Sequence, residues 1–267
     1  GHVRNENEDR MSGAQTHHGR LFIIADGMGG YAGGARAASL TVDSIVTHCN
    51  SIPQGTAPEE ILSKAIAHAN TTVYRERLNN PQNQQMGSTA LVALIVHGVL
   101  YLAHVGDSRA YLFRQGQLTP LTTDHTLPQR LINEGLLNQA EADKHPQRHV
   151  LDRAIGVALQ VEVDVSPARP LESGDALLLC SDGLCGYIND KQITANLTHL
   201  HAKHQQLGST HYAHEVAESL IKLSLEGGSE DNITVQYIRY VLPPSTVSQK
   251  KILGGMLTWL PKLRHFF

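Results

Sequence analysis

The sequence predicts an α+β fold, a four-layer αββα sandwich in which two antiparallel β-sheets stack and helices cover the outer faces. Three observations lead there. Short apolar runs follow one another across turns of two or three residues, as in Val99–Val105, Arg109–Arg114 and Gln117–Leu121. Turns this short cannot carry a parallel crossover, which needs a dozen residues or more. Helical patterns fall in separate blocks instead of alternating with strands. The strands are also apolar on both faces, so each sheet needs two covers, one from the other sheet and one from helices.

Residues 1–20 are polar, and no strand is predicted among them. Leu21–Ala25 is a continuous apolar run, short enough for a buried strand. Ala35–His48 has helical spacing, with Ala38, Val42, Ile45 and Val46 on one face. Thr56-Ala57-Pro58-Glu59 looks like a capping box with proline in the first turn. The helix after it carries Ile61, Leu62, Ala65, Ile66, Ala69, Val73 and Leu78, and ends at Asn79-Asn80-Pro81. Ser88–Val96 opens the meander, and Gly106-Asp107-Ser108 is read as a hairpin tip. Asp124–Arg148 is polar and helical, with Leu127, Leu131 and Leu136 as its apolar points. An alternating strand is expected at Val161–Val165 and a buried one at Ala176–Cys180. A short helix starts at Asn189-Asp190. The histidine-rich stretch 197–214 is read as a solvated loop, since it lacks fixed ligand pairs. Tyr212–Leu225 is an amphipathic helix closed by glycines, and Ile233–Ile238 is the last core strand.

One event recurs at the ends of these strands. Leu21–Ala25 stops at Asp26-Gly27-Met28-Gly29-Gly30, Val99–Val105 at Gly106-Asp107, and Ala176–Cys180 at Ser181-Asp182-Gly183, while Asp231-Asn232 opens the last strand. Glu8-Asp9 precedes the first. If these ends meet, five or six carboxylates share a small volume and raise one another's pKa. A hard divalent cation relieves that repulsion, and oxygen ligands favour Mg2+ or Mn2+.

The chain has 267 residues, 41% of them hydrophobic and 18% charged, ordinary for a globular protein. Its formal net charge of -3 gives no support to nucleic-acid binding. Cys49, Cys180 and Cys185 have no metal-ligand spacing and are read as reduced packing residues. No secretory leader is read and no apolar run reaches transmembrane length, so a cytoplasmic location is expected.

The motifs together resemble the bacterial type-2C metal-dependent Ser/Thr protein phosphatases, the PPM family. They are Val3-Arg4 to Asn7-Glu8-Asp9, Ala25-Asp26-Gly27-Met28-Gly29-Gly30, Met86-Gly87-Ser88-Thr89 and Ala103-His104-Val105-Gly106-Asp107-Ser108-Arg109. Asp124-His125-Thr126, Arg153-Ala154-Ile155-Gly156, Cys180-Ser181-Asp182-Gly183-Leu184 and Asp231-Asn232-Ile233-Thr234 follow in the family's order. The resemblance spans about residues 3–240.

The resemblance implies a site with two Mn2+ or Mg2+ ions at one end of the sandwich, and often a weaker third. Asp26 would bridge two ions. The Gly27 carbonyl and Glu8 would complete one, Asp182 and Asp231 the other, and Asp107 with Asp182 would hold the third. Asp9 and Asn232 would stand just behind the ligands, and Arg4 would bind phosphate. The implied reaction is hydrolysis of phosphoserine and phosphothreonine by in-line attack of a metal-bridging hydroxide. Its partners would be phosphorylated Ser/Thr proteins and a cognate Ser/Thr kinase, with the chain a monomer. Another metal-dependent phosphoesterase and an inactive phosphoprotein-binding scaffold are the alternatives.

Met28 stands where eukaryotic members carry a histidine thought to protonate the leaving group, and methionine has no proton to give. His104 and His125 are read as structural, and Arg109 as pairing with a rim acid. The expected organisation is a catalytic domain at 1–243, containing a flap at about 124–150, and a basic amphipathic tail at 244–267. The flap is expected to shape preference among protein substrates. The tail, with Ile252, Met256 and Leu260 on one stripe and Trp259 beside it, is expected to dock on protein, with a membrane surface as the alternative.

Overall fold

The computed structural model describes residues 4, 6–30, 32–80, 84–207 and 212–241. The expected tail at 244–267 lies outside the described residues.

One sheet holds five strands in the order β1 (Arg10–Gln15), β2 (Arg20–Ala25), β5 (Ala90–Val96), β6 (Val99–Val105) and β9 (Asp164–Pro170). The other holds four, ordered β11 (Val235–Arg239), β10 (Ala176–Cys180), β7 (Arg109–Arg114) and β8 (Gln117–Pro120). All pairings are antiparallel. A two-residue ribbon, β3 (Gly27–Met28) against β4 (Gly87–Ser88), stands at the site end.

Three apolar layers hold the sandwich together. Between the sheets lie Ile24, Leu91, Ala93 and Leu102 from one and Ala110, Leu112, Leu177 and Leu179 from the other. On the outer face of the first sheet, Ile23, Val92 and Leu94 pack under α1 (Ala32–Ser51) and α2 (Pro58–Asn79), through residues such as Ile45, Ile61 and Ile66. On the outer face of the second, Tyr111, Leu178 and Tyr237 pack under α6 (Asp190–Leu207) and α7 (Tyr212–Glu226). Successive residues of a strand point to opposite faces. The buried run of β10 thus feeds two cores at once, Leu177 and Leu179 inward, Leu178 and Cys180 outward. The four-layer α+β expectation holds.

Several local expectations do not. Asp107 is not at a hairpin tip, because β6 and β7 belong to different sheets. Gly106-Asp107-Ser108 is instead the bend by which the chain changes sheets. Gly106 has φ +106°, and a Cβ there would come within 2.6 Å of the Thr89 side chain. The polar opening contains an edge strand, β1, whose side chains alternate between half-buried and exposed. Thr56 does not cap α2: the N-cap is Ala57, and the Thr56 hydroxyl donates to the Pro53 carbonyl instead. Leu78, expected on the core face, is exposed. The strand expected at 161–165 runs at Asp164–Pro170, and the helix expected to be short at Asn189 runs 18 residues as α6. The histidines up to position 204 are therefore helical rather than in a loop. His204 is buried, with Nε2 2.7 Å from Oε2 of Glu215 and its ring against Tyr212.

The segment after Asp124 is a small polar excursion, with helices α3 (Leu127–Asn133) and α4 (Gln139–Ala142). Its anchors are Pro128 and Ala142, both buried, while Leu136 is exposed. A bridge between Thr126 and Leu151 closes its base. A further short helix, α5 (Asp182–Cys185), follows β10 directly.

Candidate metal centre

The site is built from chain ends that strong local constraints bring together. Asp26 follows β2, and its backbone is held on both sides by Thr89. The Asp26 N–H donates to the Thr89 hydroxyl at 2.9 Å, and the Thr89 N–H donates to the Asp26 carbonyl at 2.8 Å. The Thr89 hydroxyl also lies 2.8 Å from that of Ser108, tying the Asp26 strand end to the Asp107 bend. The segment before β1 is clasped by Asn232, whose Oδ1 accepts the Glu8 N–H at 2.9 Å and whose Nδ2 donates to the Glu6 carbonyl at 3.1 Å. Asp182 opens α5. Gly183 beside it packs so tightly that a Cβ would come within 2.0 Å of the Asn232 carbonyl. That close approach draws the Asp182 and Asp231 segments together.

The carboxylates feel one another strongly. Burial, then Asp9, Asp182, Asp107 and Asp231, push the Asp26 carboxyl well above the ordinary range. Burial, then Asp182 and Asp124, do the same to Asp107. Burial raises Asp9 to about 6, against the hydrogen bonds of Thr234 and Ser181, and it raises Glu8 against the pull of Arg4. The acids predicted from five separate stretches therefore share one rim. Arg4 joins it, with Nη2 3.2 Å from Oδ2 of Asp231.

The donor set fits hard dications. It is made of oxygens, and buried Glu8 Oε1 and Asp9 Oδ1 have no hydrogen-bond partner. Atoms of this kind are costly to leave unpaired, and a cation or its water would satisfy them.

Arg109 pairs not with one of the rim acids expected for it but with Asp124, at the start of the excursion, through two parallel hydrogen bonds of 2.8 and 2.7 Å. His104 and His125 are buried behind the rim. The sequence reading missed His149, which the end of the excursion brings to within 3.7 Å of Asp182 Oδ2. No motif marks it, and only the folding-back of 124–150 onto α5 places it there. A cleft of about 710 Å³ runs from Asp107 and Asp182 between the excursion and the α5–α6 connection, past Ile132, Arg148, Tyr187 and Lys191.

The fold is a sandwich of paired antiparallel sheets with an acidic rim at one end, a class of protein with a candidate cation site. The family model for Protein phosphatase 2C matches residues 1–131. The serine/threonine phosphatase stp of Listeria monocytogenes is 32% identical over 239 residues, covering 88% of this chain and 90% of that protein. The chain belongs to the protein phosphatase 2C family. The serine/threonine protein phosphatase PstP of Mycobacterium tuberculosis is 37% identical over 242 residues, 88% of this chain but only 42% of that relative's length. The solved catalytic domain of PstP in complex with two manganese ions superposes with a TM-score of 0.71 at 32% identity, over 90% of this chain and 94% of that one. Among the described residues, no helix is long and apolar enough to cross a membrane.

Proposed function

We propose that this chain is a metal-dependent protein phosphatase that hydrolyses phosphoserine and phosphothreonine in proteins. The observation that carries the reading is the convergence of Asp9, Asp182, Asp107 and Asp231, acids from distant parts of the chain, on Asp26, whose carboxyl burial and these neighbours push up. Asp26, Glu8, the Gly27 carbonyl, Asp182 and Asp231 would hold two divalent cations at the rim. Asp107 with Asp182 would hold a third. When bound, Mn2+ or Mg2+ supplies Lewis acidity toward the phosphoryl oxygens and a water acidified enough to attack at neutral pH.

The chain's own residues do the positioning. Arg4, on the outer side of the rim beside Asp231, holds a phosphoryl oxygen through charge-assisted hydrogen bonds. Asp9 and Asn232 orient groups at the rim from behind it. The cleft beside Asp182 takes the polypeptide around the phosphorylated residue, and the 124–150 flap forms one of its walls. A Ser/Thr kinase supplies the substrate, and the chain acts as a monomer.

The test is phosphate release from a phosphothreonine peptide, with and without Mn2+, beside single-stranded DNA as competing substrate. Mn2+-dependent release by the wild type, lost in Asp182→Ala and absent on DNA, is expected. Release that is indifferent to Mn2+, or preferential cleavage of DNA, would overturn the assignment.

A further inference from the structure

Two buried histidines stack behind the rim. His104 is the last residue but one of β6 and His125 follows β8, with ring centroids 4.4 Å apart and planes 26° from parallel. His104 Nε2 bonds the Thr123 carbonyl at 2.9 Å, so its proton is on Nε2. His125 Nδ1 accepts the Gly106 N–H at 3.1 Å, so its proton is on Nε2, which lies 3.1 Å from Asp164 Oδ2 as a close electrostatic contact outside hydrogen-bond geometry. Arg153 Nη1 in turn donates to Asp164 Oδ1 at 2.7 Å. The result is a relay running Arg153, Asp164, His125, Gly106. It ends one residue from Asp107.

Ligand atoms of His104, His125 and Asp164 all lie within 4.8 Å of one another, which invites a metal at the cluster itself. The ring geometry argues against it. An ion must lie in the plane of each imidazole that ligates it, about 2.1 Å from nitrogen, and near-parallel stacked rings cannot both meet that condition. His125 Nδ1 is already used, and the Arg153 guanidinium repels a second cation. Burial, then His104 and Arg153, push His125 down to about 4, and burial lowers His104 as well.

We infer that His125 is a positioning residue: its Nδ1 fixes the sheet-changing bend through the Gly106 N–H, and so sets where the Asp107 carboxylate stands at the rim. The Asp164 carboxylate, 3.1 Å away, electrostatically favours the tautomer with its proton on Nε2, which leaves Nδ1 free to accept. This rests on the proposed role of Asp107 as a cation ligand. Partners behind a metal ligand commonly change metal affinity roughly 10–100-fold when removed.

The experiment is calorimetric titration of the full chain with Mn2+, together with its melting temperature. Asp107→Asn comes first and should abolish the weakest Mn2+ event. In His125→Asn the amide oxygen can replace Nδ1 as acceptor, and that event should stay within about threefold of wild type. His125→Gln keeps its reach toward Asp164 but has no acceptor at the δ position, and should weaken the event about tenfold or more. If His125→Gln fails to fold, Asp164→Ala gives the same information. Without Asp164 the proton can move to Nδ1, where it would face the Gly106 N–H donor to donor, and the same weakening is expected. An Asp107→Asn thermogram identical to wild type sinks the ligand assignment and the inference with it. An effective Asp107→Asn beside equal affinities in both His125 variants, or an unaffected Asp164→Ala where that variant is used, sinks the inference alone. The titration reads the site whether or not the chain hydrolyses phosphate.

Discussion

The hydroxyl of Ser181 donates to Oδ2 of Asp9 at 2.8 Å, joining residues 172 positions apart in a fully buried contact. The Ser181 hydroxyl oxygen accepts the Thr234 N–H at 3.0 Å, and the Ser181 N–H donates to the Thr234 carbonyl. One small side chain thus locks the end of β10, the start of β11 and the acid behind the rim. Ser181→Ala leaves the Thr234 N–H without its partner and takes one hydrogen bond from Asp9 Oδ2. A loss of about 1–3 kcal/mol in unfolding free energy is expected, measured by urea denaturation without added cations. An unchanged midpoint would mean that Asp9 is held by other groups.

Gly34 lies in α1 where a Cβ would come 2.7 Å from Cδ of Glu8 and 2.9 Å from both its oxygens. The obstacle is the far end of a flexible side chain, so Gly34→Ala should push the carboxylate aside rather than disrupt the helix. Alanine also favours helix over glycine by about 1 kcal/mol. The expected result is a melting temperature unchanged or raised without cations, with Mn2+ affinity lowered about tenfold in calorimetry. A destabilised chain of normal Mn2+ affinity would contradict it.

Asp26 stands among four other carboxylates that push its own proton affinity up. Asp26→Asn removes one charge from that repulsion. The cation-free variant should therefore melt higher than wild type, while Mn2+ no longer raises its melting temperature. Peptide phosphatase activity should fall at least about a hundredfold. A variant that melts lower without cations would show that Asp26 stabilises the fold by itself.

The pH dependence of cation binding follows from the same shifts. Asp9 has its folded-state pKa raised to about 6. Its contribution to stability is therefore complete below its ordinary value and is lost as pH rises through about 6. Asp26 and Asp107 are shifted in the same direction. Near neutral pH the cation-free chain holds unrelieved charge that Mn2+ neutralises, and at pH 5 protons compete for the same oxygens. His125, pushed down to about 4, works oppositely and costs stability as pH falls from its ordinary range, but equally with and without Mn2+. The Mn2+-induced rise in melting temperature should be a few °C at pH 7.5 and shrink toward zero at pH 5. An increment independent of pH would argue that the cations bind elsewhere.

The 124–150 flap rests on few buried anchors and forms one wall of the cleft. Shortening it between Asn133 and Arg148 should lower kcat/KM on a phosphopeptide about tenfold. An aryl phosphate, which needs only the rim, should change less than about twofold. Equal losses on both substrates would show that the flap supports the cations rather than the polypeptide.

Much of the fold was legible because its strands are continuous apolar runs bounded by glycine and acid. What escaped had no such contrast. The edge strand β1, Arg-Met-Ser-Gly-Ala-Gln, buries no side chain fully and so carries no apolar signal. The edge strand β9 contains Pro167 and Pro170, which argue against a strand in sequence but are tolerated at a sheet edge. In α6 the polar, histidine-rich composition hid a stripe that could have been found. Ile193, Leu197, Leu200 and His204 recur at helical spacing and are all buried. The turn at Asp107 misled for a different reason: a three-residue bend fits a hairpin and a change of sheet equally well by length.

The sequence by itself pointed to the acids that the fold gathers at one rim, because an Asp at the end of a buried strand, followed by glycine, is a local pattern that survives without coordinates. It also determined the layer architecture, since strands apolar on both faces need two covers. The tertiary structure alone decided that Asp107 stands on a crossing between sheets, that Asn232 clasps the Glu8 segment, and that His149 reaches Asp182. Those placements depend on how two sheets and a flap pack against one another. Burial and hydrogen bonding between residues far apart in the chain set that packing, and the periodicity of any one segment carries no record of it.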